Sequence, residues 1–458
     1  MTMATPRVTE TLTDHTLTFP SASIPKEARD AGKMLLLDFL AVAIGGRQFS
    51  DSTATVLSGT HDLLCGAEGN CTVAGEATGY PAHFAALLNG TFAHSMDFDD
   101  THVESVIHIG SPLFSTLLAI GEREGVSGRA FLDAAIMGYD FVAKAGNAHG
   151  ASVHKRGFHP TPTTGIFGAV AAGARLMGLD RGQTLNALGM ALNQAAGTMA
   201  FLEGGAWSKR IQVGLAAHNA IYALTYAKRG FLGPDRALEG RLGYYELYTE
   251  GGYDANRALE GLGDVFEVTH TGVKPYPSCR YNHSLIDGVL ALVRTGRVRA
   301  EDIQSMELTI SAPGYAIVGE PPEERQRPTS VVDGQFSAYF AASVTARDSK
   351  FGWAAYDRLQ DADVVDLMGR TSVQIDDTLP RFGGRVSVLT KSGETVVEET
   401  LSPLGEPENP VNWAGLEAKF RDLAEGVVGS DGASRIIEAA HGIDDLNSVS
   451  DLTRLLRP

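Results

Sequence analysis

Apolar residues recur at helical spacing through most of the first 268 positions. Met34, Leu35, Leu37, Phe39, Leu40 and Ile44 predict a largely buried helix that opens near Pro25, where proline suits a first turn. The Ala/Leu-rich run Ala82 to Ser95 predicts a second helix. Ser111 as N-cap with Pro112 at the first helical position predicts another over Leu113 to Glu124. Ala130 to Ala148 and Gly165 to Met177 continue the series, as does Ile211 to Arg229, closed by Gly230. Asp180 with Gln183 three residues on reads as a capping box before Leu185 to Gln194. Several of these segments are rich in Ala and Gly and apolar on most faces, as helices inside a large bundle are.

The period changes near Phe266. Met306 to Ser311, Ser372 to Ile375 and Val386 to Leu389 alternate like strands. Ser392-Gly393 between Val386–Thr390 and Thr395–Thr400 marks a hairpin. His283 to Arg294 and Ala338 to Thr345 return to helical spacing. Pro403, Pro407 and Pro410 break the chain. Helical spacing then resumes over Trp413 to Glu425 and Ala433 to Ala440. The pattern predicts a mainly α protein in two parts. Residues 1–268 and 403–458 form a large all-helical domain from both chain ends, and residues 269–402 form a smaller inserted α+β domain with antiparallel strands.

Composition narrows the class. With 458 residues, 43% hydrophobic and 20% charged, the chain is an ordinary globular mixture, which excludes a disordered, fibrous or disulfide-scaffold protein. Its 52 glycines imply many tight turns or closely packed backbones. Lys and Arg number 38 against 55 Asp and Glu, a net charge of −17, so neither nucleic acid nor an anionic membrane is an expected partner. An anionic small molecule would be met only where cations gather. The three cysteines, Cys65, Cys71 and Cys279, are too few and too unevenly spaced for a disulfide framework or a zinc site. A reducing compartment, the cytoplasm, is expected. Met1 to Pro20 has no apolar signal core, and Met34 to Ile44, interrupted by Asp38, is too short to span a bilayer.

Four segments concentrate chemistry. The first runs from His94 through Asp97, Asp99, Asp100, Thr101, His102 and Glu104 to His108. Three carboxylates in four residues repel one another unless solvated, metal-bound or paired. Asp97-x-Asp99-x-Thr101 matches the nucleophile motif of haloacid-dehalogenase phosphatases, but that motif follows a hydrophobic strand and this one follows a helix. Asp97-x-Asp99-Asp100 matches the protonating motif of some terpene cyclases, which are larger chains. A His/Asp metal cluster and a helix terminus capped by acids also fit. The second segment, Lys155 to Gly165, leads a Gly/Pro loop into a helix start, where His159 is placed for acid–base work or for capping. The third, Glu203 to Arg210, brings Lys209 and Arg210 out of a Gly-Gly loop. In the fourth, Lys274 to His283, two prolines predict an extended stretch with Lys274, Ser278 and Arg280 on one face. Cys279 reads as a buried small residue. No dinucleotide fingerprint, Walker-type loop or pyridoxal lysine occurs. The predicted chemistry is cofactor-independent acid–base work on a small polycarboxylate.

Taken together and in order, Asp97-Phe-Asp-Asp-Thr101-His with His108, Gly157-Phe-His159, Lys209-Arg210, Lys274-Pro-Tyr-Pro-Ser-Cys-Arg-Tyr-Asn-His283 and Gly334-Gln-Phe-Ser337 resemble the MmgE/PrpD family of 2-methylcitrate dehydratases, cis-aconitate decarboxylases and iminodisuccinate epimerases. The resemblance covers nearly the whole chain. It implies a helical domain with an α+β lid, homodimers, no metal and no organic cofactor, and a site drawing on both domains. It places Asp97, Thr101, His108, His159 and Lys209 in the catalytic set. Lys274, Arg280, Ser278 and Tyr315 join them as substrate-binding residues, Tyr315 where spacing varies. The family's His-Pro-Ser reads His108-Ile-Gly-Ser-Pro112 here. The implied activity is a dehydratase-like lyase acting alpha to a carboxylate of a di- or tricarboxylate such as 2-methylcitrate. The alternatives are a cis-aconitate-type decarboxylase, an iminodisuccinate-type epimerase and, from another class, a noncatalytic carboxylate-binding protein.

Overall fold

A computed structural model describes residues 6–203 and 206–458. Gly204 and Gly205 of the predicted Gly-Gly loop lie outside the described residues. The chain folds into two compact units. The first holds Met1–Ala200, Ser208–Val273 and Asn412–Pro458, and the second holds Phe201–Trp207 and Lys274–Val411. The protein is mainly helical, as its apolar periodicity predicts.

The first unit contains α1 (Val8–Thr18), α2 (Lys26–Phe49), α3 (Thr53–Leu64), α4 (Ala82–Ser95), α5 (Gly110–Glu124), α6 (Gly128–His149), α7 (Pro160–Leu176), α8 (Arg181–Leu192) and α9 (Ser208–Lys228). The capping box at Asp180 and Gln183 is present in both directions. Two helix starts differ from expectation. α7 begins at Pro160 rather than Gly165, because prolines in a first turn give up no hydrogen bond. α5 begins at Gly110, so Ser111 lies inside the helix and its hydroxyl donates to Asp99 Oδ2 at 2.6 Å instead of capping. A two-stranded ribbon that the periodicity missed, β1 (Thr101–His102) with β2 (Thr271–Gly272), closes antiparallel in the same unit. Two-residue strands leave too little alternation to read.

Close glycine approaches align the central helices. A Cβ on Gly214 would lie 2.1 Å from Thr91 Oγ1 and 2.2 Å from Leu87 O, and one on Gly90 would lie 3.1 Å from Gly214 Cα. α4 and α9 therefore cross backbone to backbone and run antiparallel. One turn beyond Gly90 stands His94, and about one turn before Gly214 stand Lys209 and Arg210. The crossing brings these cations to the end of α4 where the acidic segment begins.

The chain returns to the first unit in α12 (Trp413–His441), which breaks at Gly429 with φ +74°. That break separates the two helices predicted there. No described helix is long and apolar enough to cross a membrane.

The second unit carries β3 (Ile303–Ile310), β4 (Thr371–Ile375), β5 (Gly384–Thr390) and β6 (Thr395–Thr400) in the order β4-β3-β5-β6. α10 (His283–Arg294) and α11 (Ala338–Asp348) belong to it. The β5–β6 hairpin forms as predicted, with Val386, Val388 and Thr390 buried at period two. The expectation of antiparallel strands throughout is corrected at one pair, since β3 and β4 are parallel. The 60-residue crossover between them, which includes α11, supplies the long connection that parallel pairing needs. α10 lies on the sheet where Gly288 approaches Val386 Cγ2, 3.0 Å from an added Cβ.

Candidate active site

The acidic segment joining α4 to α5 gives each of its three aspartates a different partner. Asp97, at φ +51°, pairs with Lys209 Nζ from the first turn of α9. Both side chains are buried, so the pair is shielded from solvent. Asp99 Oδ2 accepts from His94 Nδ1 at 2.7 Å, and Asp99 Oδ1 lies 3.2 Å from His108 Nδ1. Asp100 accepts from the Gly110 N–H at 3.0 Å and the Tyr139 hydroxyl at 2.8 Å. Lys419 of α12 fixes the middle of the segment by donating to the Phe98 carbonyl at 2.7 Å and to Asp38 Oδ1 at 2.6 Å.

These partners separate the protonation states. Burial would raise the Asp99 carboxyl, but the His94 and His108 imidazoles outweigh it and hold it well below the usual carboxylate range. Asp100 goes the other way: burial, then the charges of Asp99 and Asp38, push it well above that range. The neighbouring acids are thus driven in opposite directions, Asp99 toward its ionised form and Asp100 toward its protonated form.

The turn after the segment is held separately. His102 Nδ1 meets Ser105 Oγ at 2.8 Å, and its Nε2 meets Glu267 Oε2 at 3.1 Å. Lys144 Nζ reaches Glu267 Oε1 at 3.2 Å. Val106 sits at φ +54°, a strained backbone for a β-branched residue. The Thr101 hydroxyl, in β1, is buried with no hydrogen-bond partner among the described residues.

His159 occupies the N-cap position of α7 but makes no side-chain cap. Its Nδ1 instead lies 3.0 Å from Gln212 Oε1 of α9. Burial, followed by the nearby His94 and Lys209, holds this imidazole well below its ordinary range. His159 is therefore neutral near pH 7, as a general base must be. Its ring stacks on His94 at 5.5 Å, and His94 meets His108 edge-on at 4.9 Å. Burial, against the raising influence of Asp99, brings His94 down to about 4. Of the three rings His108 is the most accessible, its side chain 13% exposed, while its backbone N–H donates to Thr161 Oγ1 at 3.2 Å.

The predicted residues Asp97, His108, His159 and Lys209 thus gather in the first unit, together with His94, Asp99 and Gln212. Gln212 carried no signal in the sequence. His94 and Asp99 stood inside a motif whose spacing did not distinguish them from Asp97 and Asp100. One ligand atom from each of His94, Asp99 and His108 lies within 4.8 Å of the others, so among the described residues these three could hold a metal ion. The departure at His108-Ile-Gly has a local reason: a Cβ on Gly110 would lie 2.7 Å from Tyr139 Oη and 2.9 Å from Asp100 Oδ1.

In the second unit Lys274 is buried, two residues beyond β2 in the chain. The stretch after it bends, with the Ser278 N–H donating to Tyr276 O, so the predicted extended face is corrected. Ser278 Oγ donates to Gln335 O at 3.0 Å and accepts from Asn282 Nδ2 at 2.8 Å. Arg280 Nε donates to Glu406 Oε1 at 2.5 Å, and its NH1 lies 3.2 Å from His283 Nδ1. These two side chains build the unit's interior. Tyr315 is partly buried in a single wide turn, Tyr315–Gly319, its ring packed where a side chain on Gly319 would otherwise stand.

Residues 10–255 match the MmgE/PrpD N-terminal domain and residues 276–445 the MmgE/PrpD C-terminal domain. The chain is 29% identical to a cis-aconitate decarboxylase-like protein of Aspergillus oryzae over 95% of its length and 94% of the relative's. It is 27% identical to the cis-aconitate decarboxylase of Aspergillus terreus, covering 94% and 92% of the two chains. It is 24% identical to that of Homo sapiens, covering 82% and 80%. With both domains matched across most of its residues, and the motif residues assembled as described, the chain belongs to the MmgE/PrpD family.

Proposed function

We propose that the protein is a cofactor-independent lyase that works at the carbon alpha to a carboxylate of a small tri- or dicarboxylate. The observation that carries this reading is the buried Lys209–Asp97 pair beside three imidazoles, of which His159 is neutral and His108 accessible. Lys209 would meet a substrate carboxylate and the charge that develops on it. One imidazole takes a proton and another gives one. We assign the Thr101 hydroxyl to substrate as well, because it is buried without a partner among the described residues.

The family's chemistry leaves dehydration first on sequence grounds. The names of the relatives at 24–29% identity move decarboxylation of cis-aconitate ahead of it as the reaction to test. In that reaction a C–C bond breaks and CO2 leaves. The electron pair stays on a carbon conjugated to a remaining carboxylate, where lysine charge stabilises it, and an imidazolium protonates that carbon. Incubation with cis-aconitate, 2-methylcitrate, citrate and iminodisuccinate, followed by NMR, tests the reading. CO2 release or water loss from one of the first three supports a lyase. Inversion of iminodisuccinate alone would replace it with an epimerase, and binding without turnover would replace it with a carboxylate binder.

We further propose a cytoplasmic homodimer. Leu215, Tyr222 and Tyr226 leave an apolar stripe exposed along α9, which suits burial against a second copy. Light scattering that gives the mass of one chain would reject the dimer.

A further inference from the structure

Asp99 has more donors around it than a structural acid in a loop needs. Its Oδ2 is fixed by two donors, His94 Nδ1 at 2.7 Å and Ser111 Oγ at 2.6 Å. Its Oδ1 is turned toward His108 Nδ1 at 3.2 Å. The whole carboxylate is buried. Ser111 belongs to the first turn of α5, so the direction of the carboxylate is set by a rigid element rather than by the loop. We infer that Asp99 is the positioning residue of His108: its Oδ1 and Nδ1 of that ring, both buried with no hydrogen-bond partner among the described residues, face each other, so that Nε2 is the nitrogen presented to substrate. The inference rests on the reading of His108 as a proton carrier for the substrate carbon.

The physical logic is that of any carboxylate behind an imidazole. A carboxylate at one ring nitrogen selects the tautomer protonated there and stabilises the imidazolium when it forms. Two imidazoles share Asp99, but they are not equivalent. His94 is enclosed, and burial keeps it neutral at neutral pH. Its Nε2 is buried with no partner among the described residues, so a proton placed there would have nowhere to go. His108 is the ring with access. His94 therefore serves as a neutral donor that steadies Asp99. His159 is also near His108, and Lys209, paired with Asp97, lies near His94 and His159.

Asp99→Asn in the full-length chain tests this. It keeps the shape and removes the charge. The expected result is a kcat lower by about 10²–10³-fold with KM changed less than about threefold, in the range of lost acid–base catalysis. Asp100→Asn is the contrast: it should lower Tm and leave kcat and the His108 tautomer in place, since Asp100 supports Gly110 and Tyr139 rather than an imidazole. Nitrogen-15 spectra of histidine-labelled protein without substrate give a readout independent of turnover. His108 should be protonated at Nδ1 in the native protein and change tautomer in Asp99→Asn. If no substrate is ever turned over but the tautomer changes, the lyase reading fails and the positioning role stands. Native kcat and native His108 shifts in Asp99→Asn would overturn the inference. So would loss of the His108 pattern on EDTA dialysis and its return with Zn²⁺ or Mn²⁺, which would make the trio a metal site. Should Asp99→Asn not fold, Ser111→Ala frees Oδ2 while keeping the charge. It should lower kcat several-fold at constant KM, and an unchanged kcat would count against the role.

Discussion

Two segments that look alike as strings of charged and polar residues behave differently once folded. The run from Asp97 to His108 and the run from Lys274 to His283 both promise carboxylate chemistry. In the first, each aspartate is matched to its own partners, and one of them, the His108 imidazole, stays accessible. In the second, Ser278 and Arg280 are used internally, on Gln335 and Glu406. The difference lies in which element each segment enters. The first is tied to the ends of α4, α5 and α9, where rigid backbones hold side chains at fixed distances. The second opens α10 through a short 3-10 turn, Arg280–Asn282, and spends Ser278 and Arg280 on tying that turn to Gln335 and Glu406. Charge density alone does not mark a site; what matters is whether charge remains after the fold has satisfied itself.

The sharpest way to break this contrast is His159→Gln. The variant should fold and bind substrate, and kcat should fall about 10²–10⁴-fold, the usual loss of an acid–base group. A lowered Tm with near-normal turnover per folded molecule would make His159 a packing residue and leave His108 as the imidazole to pursue. Lys209→Ala comes next. It should raise KM and lower kcat, and it should also destabilise, because Asp97 would be left buried without its cation. Arg280→Ala is the matching experiment on the other segment. It should cost about 3–5 kcal/mol of stability, the range for breaking a buried pair, and leave KM nearly unchanged in whatever protein folds. A large KM effect in stable protein would return Arg280 to substrate binding.

A smaller effect follows from pH. His94 and His149 are both brought down to about 4, chiefly by burial. Each is neutral when folded and has an ordinary pKa of about 6.5 when unfolded, so between those values the unfolded chain binds more protons. Stability from these groups is present above about pH 6.5 and is lost as pH falls toward 4. Tm measured across that window should fall on acidification. His149→Gln, which removes an imidazole bonded to Thr164 rather than to the aspartates, should flatten the slope without altering the kcat profile. The smallest expected effect is that of EDTA on activity, which should be none. Loss restored by one divalent ion would favour the His94, Asp99 and His108 trio as ligands instead.

Much of the scaffold was legible because it is written locally. α4 and α10 begin and end where their apolar runs do, and Asp180 with Gln183 caps α8 through hydrogen bonds three residues apart. The motifs of the acidic segment were legible as a group. Their division of labour was not, since it depends on partners far along the chain: Lys209 for Asp97, Tyr139 for Asp100, Gln212 for His159. The same holds for Arg280, whose partner Glu406 lies 126 residues away. Likewise, the alternation of β3 and β4 showed two strands but not their parallel pairing, which the crossover decides. Ser111 misled because Ser-Pro is a good cap signal, and only the fold shows that Asp99 claims its hydroxyl.

The most direct test of the account is proton transfer to carbon. The native protein in D2O with cis-aconitate should yield product carrying deuterium at the carbon alpha to a carboxylate, seen by NMR. His159→Gln should bind the same substrate and incorporate deuterium far more slowly. Substrate that binds the native protein and emerges unchanged, with no deuterium from any compound of the panel, would contradict the claim that this cluster of imidazoles and lysine moves protons at carbon.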